Sequence, residues 1–179
     1  MEKSTVKKIA VLGAESTGKS ELCEALASHY NTVWVEEYAR AYFNHSDIYN
    51  YTLRDLEIIA GKQMELEDEG IKAATRFLFC DTNLITLKIW ADLEFGTCPD
   101  SIRSAMNQRI YDFFLLTNND VPWQPDSQRQ NKFSRELIFE LNKKEADISK
   151  VPYAIVTGHG RQRVTNAIHL IDDLFTRQN

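Results

Sequence analysis

Apolar residues along this chain fall into two patterns: short unbroken runs, and longer stretches in which they recur every three or four positions. The runs are "KIAVL" at 8–12, "TVWVEE" at 32–37, "RFLFC" at 76–80, "DFFLLT" at 112–117 and "YAIVT" at 153–157. Runs this short and this rich in β-branched and aromatic residues predict strands buried on both faces. Between them the helical period returns. Leu22, Ala25, Leu26 and Tyr30 mark a helix near 19–30, and "LRDLEIIAGKQMELEDE" marks another over 53–69. Further helices are predicted through Lys88 and Trp90, over about 101–111, over a charged amphipathic stretch at about 128–146, and from about 161 to 176. Strands that alternate with helices imply a three-layer α/β domain, a five-stranded parallel sheet with helices on both faces. Such sheets bind ligands at the carboxyl ends of their strands, so the five following loops are the places to look for chemistry.

The first of those loops reads "GAESTGKS". Gly13, Ala14, Glu15, Ser16, Thr17, Gly18, Lys19 and Ser20 give the spacing Gly-x-x-x-x-Gly-Lys-Ser, the P-loop pattern. Its glycines let successive N–H groups converge on phosphate oxygens. Lys19 is placed to reach the β- and γ-phosphates, and the Ser20 hydroxyl to ligate Mg²⁺. The following helix presents its positive end to the anion. A strand, this loop and a helix in that order predict a P-loop NTPase fold with ATP and Mg²⁺ as cofactors.

Bulk properties narrow the partners. A chain of 179 residues suits one compact domain spanning 1–179. Its net charge of −5, with no basic stripe, argues against a nucleic-acid partner. No apolar stretch approaches the roughly 18 residues of a membrane span. The N-terminal residues lack the pattern of a signal peptide, and Cys23, Cys80 and Cys98 show no metal-type spacing. A cytoplasmic location with reduced thiols is expected.

Polar residues follow every strand. Asp81 ends the third apolar run, where P-loop enzymes place the aspartate that holds Mg²⁺; the competing reading is a helix N-cap. Glu36 and Glu37 leave the second strand, and a kinase needs a carboxylate there to orient the acceptor hydroxyl and take its proton. Glu37 is preferred because it alternates in phase with Val33 and Val35, although "EEYAR" also reads as the first turn of a helix. After the fourth strand, a segment at about 120–135 with two prolines predicts a lid, from which Arg129, Lys132 and Arg135 could close over ATP. Arg129 is the expected catalytic arginine. The loop Gly158–Arg161 after the fifth strand is expected to approach adenine, with His159 and Arg161 at the nucleotide. A GTPase is disfavoured: Thr117-Asn118-Asn119-Asp120 lacks the guanine-reading Asn-Lys-x-Asp, and no Asp-x-x-Gly follows Asp81. A small-molecule kinase and a P-loop ATPase or regulatory module remain, with the kinase favoured by size.

The blocks "GAESTGKS", "EEYAR" at 36–40, "CDTN" at 80–83 and "LLTNNDVPWQPDSQR" at 115–129 resemble the nicotinamide riboside kinase domain of the NadR-type NAD-biosynthesis proteins. The resemblance runs from about Lys7 to Ile171, and its most specific part is Asn118-Asn119 followed by Trp123-x-x-Asp126-x-x-Arg129. It implies a nucleoside-kinase-like fold and ATP-dependent phosphorylation of a riboside 5′-hydroxyl, best nicotinamide riboside, with another nucleoside-like acceptor as the alternative. It further implies a negative pocket that includes Asp126. Within it Trp123 and Tyr38 would face the pyridinium, and Arg40 and a carboxylate would hold the ribose. Asn83 stands where the family often has a second acidic residue, and is expected to set an acceptor contact. The family's adenylyltransferase domain has no counterpart in the sequence, so the expected product is the mononucleotide.

Overall fold

A computed structural model describes residues 6–125 and 133–176. Five strands, β1 (Lys7–Leu12), β2 (Trp34–Val35), β3 (Phe77–Asp81), β4 (Phe113–Thr117) and β5 (Tyr153–Val156), form one parallel sheet in the order β2-β3-β1-β4-β5. Seven helices connect them: α1 (Lys19–His29), α2 (Tyr38–Phe43), α3 (Leu53–Ala73), α4 (Leu84–Phe95), α5 (Asp100–Gln108), α6 (Arg135–Ser149) and α7 (Gly160–Thr176). β1 therefore lies at the centre, paired with β3 on one side and β4 on the other. The register sets Val11 opposite both Asp81 and Leu115, which brings the ends of three strands beside the loop that begins at Gly13.

Strand alternation divides the core. Ile9, Val11, Phe77, Phe79 and Leu115 face α1 and α7 through Leu22, Leu26, Ile171 and Phe175. Ala10, Leu12, Leu78 and Leu116 face the other way, onto Ile85 and Ile89 of α4 and Phe139 and Ala146 of α6. A third cluster joins α2, α3, α4 and α5 through Phe43, Leu56, Ile59, Leu87 and Ile102, outside the sheet proper. Each such side chain contributes about 1.5–3 kcal/mol on burial, so the helices on both faces are held mainly by this packing.

One polar insertion sits at the end of the sheet far from the loops. Lys8 Nζ donates to Glu67 Oε2 at 2.9 Å and lies 4.1 Å over the Tyr111 ring, and the Tyr111 hydroxyl donates to the same carboxylate at 2.7 Å. Every buried group in this trio has a partner.

Three boundaries depart from the sequence reading. The second strand covers only Trp34–Val35, because the chain turns at Glu36 and enters α2, the helix reading of "EEYAR". The charged helix begins at Arg135, where the Ser134 hydroxyl accepts from Leu137 N at 3.1 Å and caps it. α5 ends at Gln108, before the predicted limit. No helix among the described residues is long and apolar enough to cross a membrane.

Candidate active site

The phosphate loop is shaped by close backbone approach. Gly13 has φ 140°, and a Cβ there would lie 2.3 Å from Thr117 Oγ1 and 2.9 Å from the Thr117 carbonyl, so only glycine fits. Thr117 Oγ1 in turn donates to the Leu12 carbonyl at 3.0 Å and lies 2.6 Å from Thr17 Oγ1. The last residue of β4 thus props the loop that follows β1. Gly18 is left-handed, φ 73°, and delivers the chain into α1. Lys19 Nζ donates to the Ala14 carbonyl at 2.8 Å, and the Ser20 hydroxyl donates to Asp81 Oδ2. Ser16 ties the loop to the chain after β4: its Oγ accepts from Gln124 N at 2.7 Å and its carbonyl from Arg135 at 3.4 Å.

A residue the sequence reading missed completes the frame. Arg163 of α7 is 4 % exposed, and its guanidinium reaches the Thr17 carbonyl, the Asn118 carbonyl at 3.1 Å, the Gly158 carbonyl at 2.8 Å and the Asp120 carboxylate. Asp120 also accepts from Gly158 N at 2.7 Å. Burial alone would raise the Asp120 carboxyl, but that N–H bond and the Arg163 charge outweigh it and hold the carboxyl below its ordinary value. Arg163 and Asp120 therefore bind together the loops after β1, β4 and β5. By contrast His159 and Arg161 are exposed at the start of α7 and line neither cavity described here, because α7 turns its 163 face, not its 159–161 end, toward the phosphate loop.

Two carboxylates meet the loop. Asp81 is 1 % exposed; one oxygen accepts from Ser20, and the other, Oδ1, has no hydrogen-bond partner among the described residues. The N-cap of α4 is Asn83, whose Oδ1 accepts from Ile85 N at 2.9 Å, so Asp81 is free of that duty. Burial raises the Asp81 carboxyl, against the opposing pull of Lys19 and the Ser20 hydroxyl. Glu37 lines both the phosphate-loop cavity and the aromatic-walled cleft beside it, whereas Glu36 is exposed. Glu37 occupies the N-cap position of α2 yet its side chain makes no cap bond. Burial first, and the Asp81 charge second, push its carboxyl up to about 7; Arg40 Nε, 3.8 Å away, and Lys19 pull the other way. A carboxyl titrating near neutrality beside a phosphate site is suited to taking a proton. The residues present also suit Mg²⁺: a hydroxyl and an unsatisfied carboxylate oxygen are hard donors. No group of three Asp, Glu, His or Cys side chains placed to hold a metal ion by themselves occurs among the described residues.

The aromatic-walled cleft opens from Glu37 and Arg40 toward α4 and α6. Trp123 stands on its wall, as do Phe43, Tyr51 and Trp90, and the sequence reading marks none of these last three as a site residue. Tyr38 is a correction: it packs in the third cluster, its ring 6.3 Å from Tyr42 and its N–H donating to Gln63 at 2.8 Å, and is not among the cleft residues. Asn83 is another, since its buried side chain caps α4. Asp126, Arg129 and Lys132 lie outside the described residues. Arg135 lines the cleft and donates to the Val121 carbonyl at 2.8 Å.

Comparison with known proteins places this geometry. Residues 8–163 match the model of the AAA domain family. The trifunctional NAD biosynthesis/regulator protein NadR of Escherichia coli K12 is 31 % identical over 127 residues, covering 69 % of this chain and 31 % of that protein. The chain thus spans about a third of that relative's length. A crystal structure of NadR in complex with NR superposes with a TM-score of 0.80 at 21 % identity, over 94 % of this chain and 50 % of the other. The structure of deoxyadenosine kinase from M. mycoides with bound dATP superposes with a TM-score of 0.58 at 12 % identity, over 93 % and 99 % of the two chains. The fold is that of the P-loop nucleoside kinases, a five-stranded parallel sheet between helices.

Proposed function

The chain belongs to the AAA domain family, and on that premise we propose that it is an ATP-dependent kinase that phosphorylates the 5′-hydroxyl of nicotinamide riboside. The observation that carries the reading is the position of Glu37, a carboxyl raised to about 7 where the phosphate loop meets an aromatic-walled cleft. The likeness to NadR, solved with NR, supplies the acceptor.

In this reading the γ-phosphoryl group lies against the P-loop N–H groups and Lys19, and the riboside occupies the cleft. The 5′-oxygen attacks the γ-phosphorus, its proton passes to Glu37, and the bond from phosphorus to the β–γ bridging oxygen breaks to release ADP. Ser20 and Asp81 would hold Mg²⁺, which neutralises charge on the β- and γ-phosphates. Arg40 keeps Glu37 oriented, and Arg129 is assigned to the transferring phosphoryl group. The pyridinium carries a fixed positive charge. It is stabilised by the face of Trp123 and by the negative potential of Glu37, Asp81 and Asp126.

A kinase assay over a panel of ribosides tests this reading. Nicotinamide riboside should give the highest kcat/KM, above neutral uridine or thymidine. ATP hydrolysis with no acceptor dependence would assign the chain to the ATPases instead, and equal or faster turnover of an uncharged pyrimidine nucleoside would assign it another acceptor.

A further inference from the structure

Buried polar atoms in this protein are almost always paired, as in the Lys8–Glu67–Tyr111 trio, so the exceptions carry information. Thr86 and Asn142 carry two of them and line the same cleft, beside Arg135, whose guanidinium bonds the Ser16 and Val121 carbonyls. Thr86 on α4 is 9 % exposed and Asn142 on α6 is 1 % exposed; Thr86 Oγ1 and Asn142 Oδ1 have no hydrogen-bond partner among the described residues.

Their local geometry defines what each can offer. A threonine hydroxyl in a helix ordinarily donates to a carbonyl three or four residues back. That of Thr86 does not, although its N–H bonds the Asn83 carbonyl at 3.1 Å, so the hydroxyl proton is available. Asn142 is constrained more tightly. Its Nδ2 donates to the Ile138 carbonyl at 2.8 Å, and that carbonyl can only accept. Exchanging the amide's nitrogen and oxygen would set two acceptors against each other, so Oδ1 stays as an acceptor. Thr86 and Asn142 thus offer one donor and one acceptor to a cleft that Ile89 and Ile138 make apolar and Trp90 aromatic on the same helices.

We propose that Thr86 and Asn142 are the specificity-determining pair for the acceptor's base, and that they read a primary carboxamide on its ring. The assignment rests on the riboside-kinase reading above. A carboxamide offers the complementary pair: its N–H donates to Asn142 Oδ1 and its carbonyl accepts from the Thr86 hydroxyl. A carboxylate at that position offers acceptors only and meets Asn142 Oδ1 unfavourably. An unsubstituted ring leaves both protein groups buried and unpaired.

The test compares nicotinamide riboside with pyridinium riboside, which keeps the positive charge, the ribose and the reacting hydroxyl and lacks only the amide. Wild type should prefer nicotinamide riboside by about 10²-fold in kcat/KM, because a site built to hydrogen-bond a group rejects the analogue without it. T86V and N142L should each reduce that preference about 10-fold, chiefly by slowing the amide substrate. T86V should also leave the thermal midpoint unchanged or raised, since it removes an unsatisfied buried hydroxyl; a structural hydroxyl would show a fall. If N142L does not fold, T86V decides. Equal wild-type turnover of the two ribosides overturns the assignment and leaves the kinase reading intact, as does equal loss on both substrates in T86V. Turnover of neither riboside overturns the nicotinamide riboside reading, and the assignment with it.

Discussion

The two walls of the site are built differently. On the phosphate side, backbone does the shaping: Gly13 against Thr117, consecutive carbonyls of Ser16 and Thr17 held by arginines, and Ser20 bonded to Asp81. On the cleft side, side chains from α2, α4 and α6, with Tyr51 from the loop before α3, form an apolar and aromatic wall, on which Thr86 Oγ1 and Asn142 Oδ1 have no hydrogen-bond partner among the described residues. The first arrangement is specific for a group that every nucleoside triphosphate shares. The second is adjustable one residue at a time. Changes on the phosphate side should therefore act on all acceptors alike, and changes on the cleft side should act on the choice among them.

The largest expected effect is K19A. It removes the charge that follows the transferring phosphate, and turnover should fall about 10³-fold or more with every riboside. The protein should stay folded by circular dichroism. In wild type Mg-ATP should raise the thermal midpoint and in K19A it should not; a wild type that shows no such rise contradicts the phosphate-site assignment.

E37Q tests a residue that lines both cavities, with an expected loss in kcat/KM of about 10²–10⁴-fold. Its pH behaviour is more specific. Glu37 must be deprotonated to take a proton, so wild-type kcat/KM should climb as pH rises through about 7, and E37Q should lose that limb. Stability runs the other way. A carboxyl whose folded value lies above the unfolded one favours the fold at low pH and loses that contribution as pH rises through about 7. E37Q should then be the more stable protein at pH 8, by on the order of 1–3 kcal/mol, and equal to wild type near pH 4. Identical pH–stability curves for the two would remove Glu37 from this role.

R163M separates the walls. Losing the guanidinium that joins Thr17, Asn118 and Gly158 should raise KM for ATP about 10-fold, on the order of the cost of one buried charged hydrogen bond, with KM for the riboside within about twofold. D120N should show a smaller shift in the same direction. If both KM values rise together, the strut supports the whole site and not the donor wall.

The smallest effect belongs to W123A. Cation–π attraction is worth about 0.5–2 kcal/mol, so the preference for nicotinamide riboside over uridine should fall by about 2- to 30-fold, with turnover of uridine little changed. A unchanged ratio would leave Trp123, 39 % exposed, as a cover for the cleft only.

What could be read in advance follows the same division. The five strands were legible because strands buried on both faces are written as contiguous apolar runs, and the phosphate loop because its function depends on local spacing. β2 is shorter than its run predicts, because Glu36 and Glu37 lead into the helix that "EEYAR" also spells. Arg163 and Asn142 went unseen, yet both leave a trace. Arg163 falls in phase with Ala167, Ile171 and Phe175, and Asn142 with Phe139 and Ala146, so each is a polar residue on an apolar helical stripe. Phase alone could not say what they meet: Asp120 and Thr17 are distant from Arg163 in sequence, and the cleft lined by Asn142 also draws on α2 and α4. The aromatic wall was illegible for the same reason, as Tyr51 comes from the loop before α3 and Trp90 from α4, and both meet in the cluster beside the sheet.

The uncapped start of α2 has a consequence for laboratory evolution. Position 37 calls for Ser, Thr, Asp or Asn, any of which would bond the first turn of the helix, and such a cap is worth about 1 kcal/mol. A library selected for heat resistance alone should therefore drift to those residues at position 37 and emerge as a tougher, silent protein. Libraries selected on growth that needs the enzyme should keep glutamate there, and the divergence between the two populations would mark the position without any assay of the reaction.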